Sequence, residues 1–279
     1  MRPLAPGDAL ARLGSFALVD VRDGPAFAAG HLAGSGHVPA ADLRERRSEL
    51  PSRDTACLVL AGSADEARAG AEALKDLGYT RVEWLDGGLD RLPGGLASRE
   101  PARVLWRPAP FLEAMLPRMP KGGVALDVAA GHGRESVFLA MHGWDVTAMD
   151  RAPEALEKAA ALATRSGTSI RTQVRDLERG DPGIEEAHYD AVVCFRFLHR
   201  PLFPRLERAL KPGGCLVYET FRVGQERFGR PTHRQYLLAD NELSSAFPLL
   251  DVEHYAESEP AGGPITASLF ARRPPGKSR

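Results

Sequence analysis

The sequence predicts an α/β protein: a seven-stranded, doubly wound sheet that ends in an antiparallel hairpin, behind a smaller α/β domain. Three observations predict it. Short apolar runs alternate with helix-period segments along the 279-residue chain. The last two runs are joined by a loop, SEPAGGP, with no helix between them. A stretch rich in Pro, Gly and small residues divides the alternation into two series. Parallel neighbours need a crossover long enough to hold a helix, whereas antiparallel neighbours close through a short loop.

In the first series, runs 16–21 (FALVDV), 57–61 (CLVLA) and 82–85 (VEWL) read as parallel strands. An alanine-rich helix is expected over 65–77, with Leu74 and Leu77 on its apolar side and Gly78 as its C-terminal stop. Residues 93–104 (PGGLASREPARV) carry no apolar period, which sets a front domain at 1–95, a linker at 96–105 and a second domain at 106–279. A short helix at 108–119 leads into strands 124–129, 145–149, 169–174, 189–195, 214–221, 249–256 and 265–272. Helices are expected between them at 134–142, 153–165, 202–210 and 240–246.

With 43% hydrophobic and 26% charged residues, the composition is that of ordinary globular protein. A net charge of -1, with Lys and Arg spread along the chain, leaves no electrostatic footprint for nucleic acid and no polybasic membrane patch. A small-molecule partner is therefore expected. Cys57, Cys194 and Cys215 each fall inside an apolar run and read as buried thiols, with no disulfide framework and no metal-ligand spacing. The N-terminus, MRPLAPGDALARLG, lacks the apolar core of a secretory signal, and no segment approaches the roughly 18 uninterrupted apolar residues of a membrane span. A reducing cytoplasm is the expected location.

The most informative segment is Asp127-Val128-Ala129-Ala130-Gly131-His132-Gly133-Arg134-Glu135, at the end of one strand and the start of a helix. Gly131 and Gly133 suit a tight turn in which a ligand approaches the main chain and N–H groups at the helix start donate to it. Asp150 ends the next strand, where doubly wound nucleotide-binding folds place an acid for ribose hydroxyls. It also suits an N-cap for the helix beginning near Pro153, and both readings stand together. Asp176, after the third strand, is placed to accept from an exocyclic amine of a purine.

Ser136 stands where a dinucleotide fingerprint asks for Gly or Ala, and no Lys-Ser or Lys-Thr is present to hold a triphosphate. An adenosine ligand without phosphates fits better. The segment DVAAGHGRESVFLAMHGWDVTAMDRAPEAL, followed by VRDL, YDAVVCFRFLHRPLFPRLERALKPGGCLVYETF and the terminal hairpin, resembles the class I S-adenosylmethionine-dependent methyltransferases over about residues 106–273. GRESVFLA and the aspartate-ended second strand are most similar to their tellurite-resistance type. The resemblance implies a Rossmann-like sheet in which Asp127, Ala129, Gly131 and Gly133 surround the methionine part of the cofactor. It further implies ribose binding by Asp150 beside Arg151, adenine contacts from Asp176 and Leu177, and a place for Phe195 in the cofactor set.

A sulfonium is already an activated leaving group, so a protein has mainly to align a nucleophile and exclude water. If a base or an anion-binding group is needed, Arg196 and His199 in CFRFLHRPLFP are the catalytic candidates, although His199 equally suits packing and Arg196 a surface ion pair. Tyr218, Glu219 and Phe221 end the fifth strand of this domain. The long polar segment 224–238 (GQERFGRPTHRQYLL) reads as a substrate lid or as a surface insertion.

At the front, LVDVRDGPAFAAGHLAGSGHVPAADL and CLVLAGSADEARAGAEALKDLGYTRVEWLDGGLDRL resemble a rhodanese domain, with Asp20, Arg22, His31 and Gly87-Gly88 on the family's pattern. The resemblance implies a sulfur-accepting cysteine at a position that here holds Ala61, and Cys57 lies at the other end of that strand. Asp65 and Glu66 add negative charge to a helix start that would have to receive thiosulfate. The expectation is an enzyme methylating a small molecule with S-adenosylmethionine, carrying a non-catalytic rhodanese-like module suited to protein docking. The rivals are a non-catalytic binding protein, a sulfurtransferase using Cys57, and an RNA methyltransferase, the last disfavoured by charge.

Overall fold

The computed structural model describes residues 1–92 and 97–276. The chain divides into two compact units, Met1–Arg107 and Pro108–Arg279.

The front unit runs β1 (Arg2–Leu4), α1 (Pro6–Arg12), β2 (Ala17–Asp20), α2 (Gly24–Ala29), β3 (His31–Leu32), β4 (Gly36–His37), β5 (Cys57–Leu60), α3 (Ala64–Asp76), β6 (Val82–Leu85) and β7 (Ala97–Ser98). Five strands form a sheet in the order β1-β6-β5-β2-β4, parallel throughout. The central strand β5, buried at every position, reads as an uninterrupted apolar run because helices cover both faces of a parallel sheet. Helix α3 starts at Ser63, whose hydroxyl accepts from the Glu66 amide, and stops where Gly78 turns left-handed at φ 92°. The three strands expected here are present; β1 and β4 are too short to show a period of two.

The segment expected to be a free linker is partly ordered against the front unit. Residues 93–96, where the front domain was expected to end and the linker to begin, lie outside the described residues. Beyond them β7 pairs antiparallel with β3, and the Arg103 amide donates to the Ser35 carbonyl at 2.9 Å. Leu105 reaches so close to Gly36 that a Cβ there would lie 2.2 Å from its Cγ. A Pro- and Gly-rich composition shows that a segment has no period of its own, and says nothing of whether a neighbour's strand edge captures it.

The second unit runs α4 (Pro110–Met115), β8 (Gly123–Val128), α5 (Arg134–Met141), β9 (Trp144–Asp150), α6 (Pro153–Arg165), β10 (Arg171–Val174), β11 (Tyr189–Phe195), α7 (Phe203–Ala209), β12 (Leu210–Phe221), β13 (Asp251–Ser258) and β14 (Thr266–Arg272). Its seven strands are ordered β10-β9-β8-β11-β12-β14-β13. All neighbours from β10 to β12 are parallel, and β14 runs antiparallel to both β12 and β13. The expected sheet and edge hairpin are therefore present, with the last strand inserted inside its partner. Alternation sends Met149 to the core shared with Val192, Leu206, Tyr218 and Phe247, and Ala148 to a second core with Leu156 of α6.

One expected helix is absent. Over 240–246 the chain makes only a 3-10 turn, Leu243–Ser245. Asn241 sits at φ 58°, which a right-handed helix does not allow. Glu242, which a helix would turn outward, instead accepts from the Ala239 amide and the Arg200 guanidinium.

Candidate functional site

Strand order reverses at β8, which has β9 on one side and β11 on the other, so the loops after these strands diverge and open a crevice at their carboxyl ends. A cavity of about 710 Å³ lies there. Ala129 follows β8, Asp150 and Arg151 follow β9, Asp176, Leu177 and Glu178 follow β10, and Arg196, Phe197 and Leu198 follow β11. Thr220 and Phe221 end β12, and Arg230, Pro231, Thr232, His233 and Tyr236 close the far wall.

Asp150 organises the loop end of this cavity. Its Oδ2 accepts from the Gly131 amide at 2.8 Å and its Oδ1 from the Ala152 amide at 2.9 Å. Each carboxylate oxygen offers about two acceptor directions, so each retains one for a ligand hydroxyl. The N-cap of α6 is Ala152, without a side-chain cap, so Asp150 braces the turn before the helix and is not its cap.

The two glycines have different reasons. A Cβ on Gly131 would meet no atom within 4 Å, whereas one on Gly133 would lie 2.5 Å from Cβ of Ala159. Gly133, left-handed at φ 76°, lets α5 pack closely on α6. Two of the loop amides already have acceptors: Gly131 donates to Asp150, and Gly133 to the Ala130 carbonyl at 2.9 Å. Ala129 holds φ 59°, a left-handed conformation that costs a non-glycine residue about 1–2 kcal/mol.

Asp127 does not line the cavity. It is buried, and the Ser136 hydroxyl donates to its Oδ2 at 2.5 Å. Burial, with Glu135 nearby, holds its carboxyl well above the usual range, and the Ser136 hydrogen bond pulls the other way. This explains the serine where a nucleotide fingerprint has Gly or Ala: a buried carboxyl needs a donor. Phe195 is likewise buried within β11 and does not line the cavity. His199 precedes a 3-10 turn, Arg200–Leu202, in which the Leu202 amide donates back to the His199 carbonyl, and it does not line the cavity. Of the residues singled out, the cavity thus gathers Ala129, Asp150, Arg151, Asp176, Leu177 and Arg196, and leaves out Asp127, Gly131, Gly133, Phe195 and His199.

Arg196 is left-handed at φ 57°, and its amide donates to the Glu219 carbonyl at 2.8 Å. The Glu219 carboxyl is raised, first by burial, while Arg196 draws it down and Glu135 pushes it up. Tyr218 belongs to the core, between Phe203 and Phe247, and its hydroxyl donates to the Phe197 carbonyl at 2.8 Å, fixing the loop after β11.

The far wall belongs to the segment that the sequence offered as a lid or a surface insertion, but its lining residues were not named there as site residues. Segment 224–238 folds as a loop with closed ends: the Val223 amide donates to the Leu238 carbonyl, and the Leu238 amide to the Phe221 carbonyl. Arg200 ties it down, donating to the carbonyls of Gln235 and Leu237, both at 2.9 Å, and to Glu242. The cue was its length and its Arg-Pro and aromatic residues, but only folding shows which of these face the strand ends.

In the front unit, the residues that fit the expected pattern are structural. Arg22 grips the buried Asp20 through two nitrogens, at 3.0 and 2.7 Å, and donates to the Gly30 carbonyl. His31 and His37 both stack on Phe27, with ring centroids 3.9 and 4.3 Å from it. Cys57 is fully buried within the core and its thiol is pushed up to about 12 by burial. Among the described residues no cluster of His, Cys, Asp or Glu could hold a metal ion, and no helix is long and apolar enough to cross a membrane.

Comparison with known proteins agrees with this geometry. Residues 125–214 match the family model for a methyltransferase domain, and residues 5–92 match that for a rhodanese-like domain. A ubiquinone biosynthesis O-methyltransferase of Xanthomonas axonopodis pv. citri is 38% identical over 107 residues, 36% of this chain and 44% of that protein. The chain thus spans less than half the length of that curated relative. A protein solved in a study of the conversion of a disulfide bond into a thioacetal group during echinomycin biosynthesis shares the fold. It is 21% identical, with a TM-score of 0.50 covering 62% of this chain and 84% of that one. TehB from Haemophilus influenzae is 19% identical over 58% of this chain and 61% of its own, with a TM-score of 0.48.

Proposed function

We propose that this chain, which carries a methyltransferase domain behind a rhodanese-like domain, binds S-adenosylmethionine in the 710 Å³ cavity and methylates a small molecule there. The observation that carries the reading is the Asp150 carboxylate, held by two backbone amides at the end of β9 with acceptor directions to spare.

The residues fit the cofactor. Asp150 receives the ribose hydroxyls, with Arg151 beside it, and Arg151 is itself held by Glu178 at 3.3 Å. Asp176 and Leu177 offer an acceptor and an apolar surface to the adenine. The methionine end lies toward Ala129, whose left-handed turn brings the main chain against the cavity wall. When bound, the cofactor supplies a methyl group on a sulfonium, whose sulfur leaves with the bonding electrons. The protein's part is to hold the acceptor in line and keep water out, which the loop over 224–238 does from the far side.

The name of the Xanthomonas relative supports an oxygen acceptor, and the net charge of -1 supports a small molecule over nucleic acid. Three free, buried cysteines support a reducing cytoplasm. The front domain serves as a non-catalytic accessory, because its thiol is in the core and Ala61 occupies the reactive position. Calorimetric titration of the full chain with S-adenosylmethionine tests the proposal. Micromolar binding that Asp150→Ala weakens about tenfold or more, about 1.4 kcal/mol, is expected. Absence of binding by the folded wild type overturns it.

A further inference from the structure

The cavity is electrostatically two-sided. Asp150, Asp176 and Glu178 stand at the ends of β9 and β10, while Arg196, Arg230 and His233 stand after β11 and on the closing loop. Nearby arginines are committed: Arg200 to Glu242, Arg222 to Asp240 and Glu257, Arg227 to Glu259, Arg151 to Glu178. Arg196 and Arg230 differ from all of these. Neither forms an ion pair within 4 Å with any described carboxylate, although Arg196 is near enough to Glu219 to draw its carboxyl down, and both line the cavity.

His233 adds a third donor. Its Nδ1 accepts from the Gln235 amide at 3.3 Å, so the neutral ring carries its proton on Nε2. A ring so arranged donates from Nε2 and is not placed to take a proton there. Between the donors, Phe197, Leu198, Phe221 and Tyr236 make the walls apolar.

We propose that the methyl acceptor is an organic anion with an apolar body, its charged group received by Arg196, Arg230 and His233. The inference rests on the methyl-transfer reading of this cavity and names the acceptor class within it. Guanidinium groups recognise carboxylates and related oxyanions in a plane, and they strengthen where apolar walls lower the local dielectric. The opposite sign of the two ends fits a cationic donor at the acidic end facing an anionic acceptor at the basic end. The ionised oxygen itself attacks the methyl carbon as the carbon–sulfur bond breaks, so no residue has to remove a proton, in keeping with His233 being fixed as a donor.

The test is a fluorescence titration of the full chain, with and without saturating S-adenosylhomocysteine, using naphthoate and the neutral naphthamide. Naphthoate is expected to bind about tenfold or more tightly than naphthamide, the size of effect a charge-assisted pair supplies. Arg196→Gln and Arg230→Gln should each abolish most of that preference and leave naphthamide and S-adenosylhomocysteine binding unchanged. Both positions are exposed, so the variants should fold, which their thermal midpoints check. Equal affinity for the two probes, or a preference that survives both substitutions, overturns the inference while leaving cofactor binding intact. A naphthoate preference without any S-adenosylhomocysteine binding overturns the methyl-transfer reading and, with it, the assignment of the anion as acceptor.

Discussion

The Asp150 carboxylate accepts the Gly131 amide at 2.8 Å, so the end of β9 holds the loop that leaves β8. Two features that look independent along the chain, an acid closing one strand and a glycine after another, are one piece of architecture. A ligand that engages Asp150 meets a carboxylate whose direction the glycine loop has already set.

The two loop glycines should respond unequally to substitution. Gly133→Ala places a Cβ 2.5 Å from Cβ of Ala159 and should cost about 2–4 kcal/mol, as overpacking and left-handed strain add. Gly131→Ala meets no neighbour and should cost only about 1–2 kcal/mol of backbone strain. Urea denaturation of both variants reads the difference. Equal losses would mean that the α5 to α6 approach does not decide the residue at 133.

Asp127 makes stability depend on pH. Its folded carboxyl is raised from the ordinary 3.8, so between these values the native state holds more protons than the unfolded chain. The stability it contributes is full below the ordinary value and is lost as pH rises through the folded value. Asp127→Asn should therefore gain on the wild type as pH rises across that window, by denaturation measured at several pH values. Ser136→Ala removes the hydroxyl donor and should cost about 1–3 kcal/mol. A wild type and Asn variant with parallel pH profiles would remove Asp127 as the cause.

Native thiols should be silent. Cys57, Cys194 and Cys215 are fully buried, and burial raises all three, Cys57 and Cys215 to about 12. A disulfide-exchange reagent should react with them only as the chain unfolds, and thiosulfate with cyanide should yield no thiocyanate. Rapid labelling of Cys57 in the folded protein would revive a sulfur-transfer role.

Arg200 should govern the closing loop. Arg200→Ala removes donors to Gln235 and Leu237 and the pairing with Glu242, and amides over 236–242 should then exchange about tenfold faster, about 1.4 kcal/mol of local opening. Hydrogen exchange followed by mass spectrometry measures it. Unchanged protection there would show that the loop is held by its closed ends alone.

What the sequence determined by itself was periodicity and chemistry: alternating strands and helices, the hairpin without a helix, Asp150 at a strand end, and three cysteines inside apolar runs. These are local, because a period of two or 3.6 and a residue's type do not depend on distant partners. Tertiary structure decided what each loop residue faces. It sent Gly133 against Ala159 and Asp127 to Ser136, left His199 out of the cavity lining, paired 97–98 with β3 of the front unit, and brought Arg230 and His233 into the same cavity as the strand-end acids. The physical reason is that a turn's direction and a side chain's partner are set by packing between segments far apart in sequence, which no local pattern encodes.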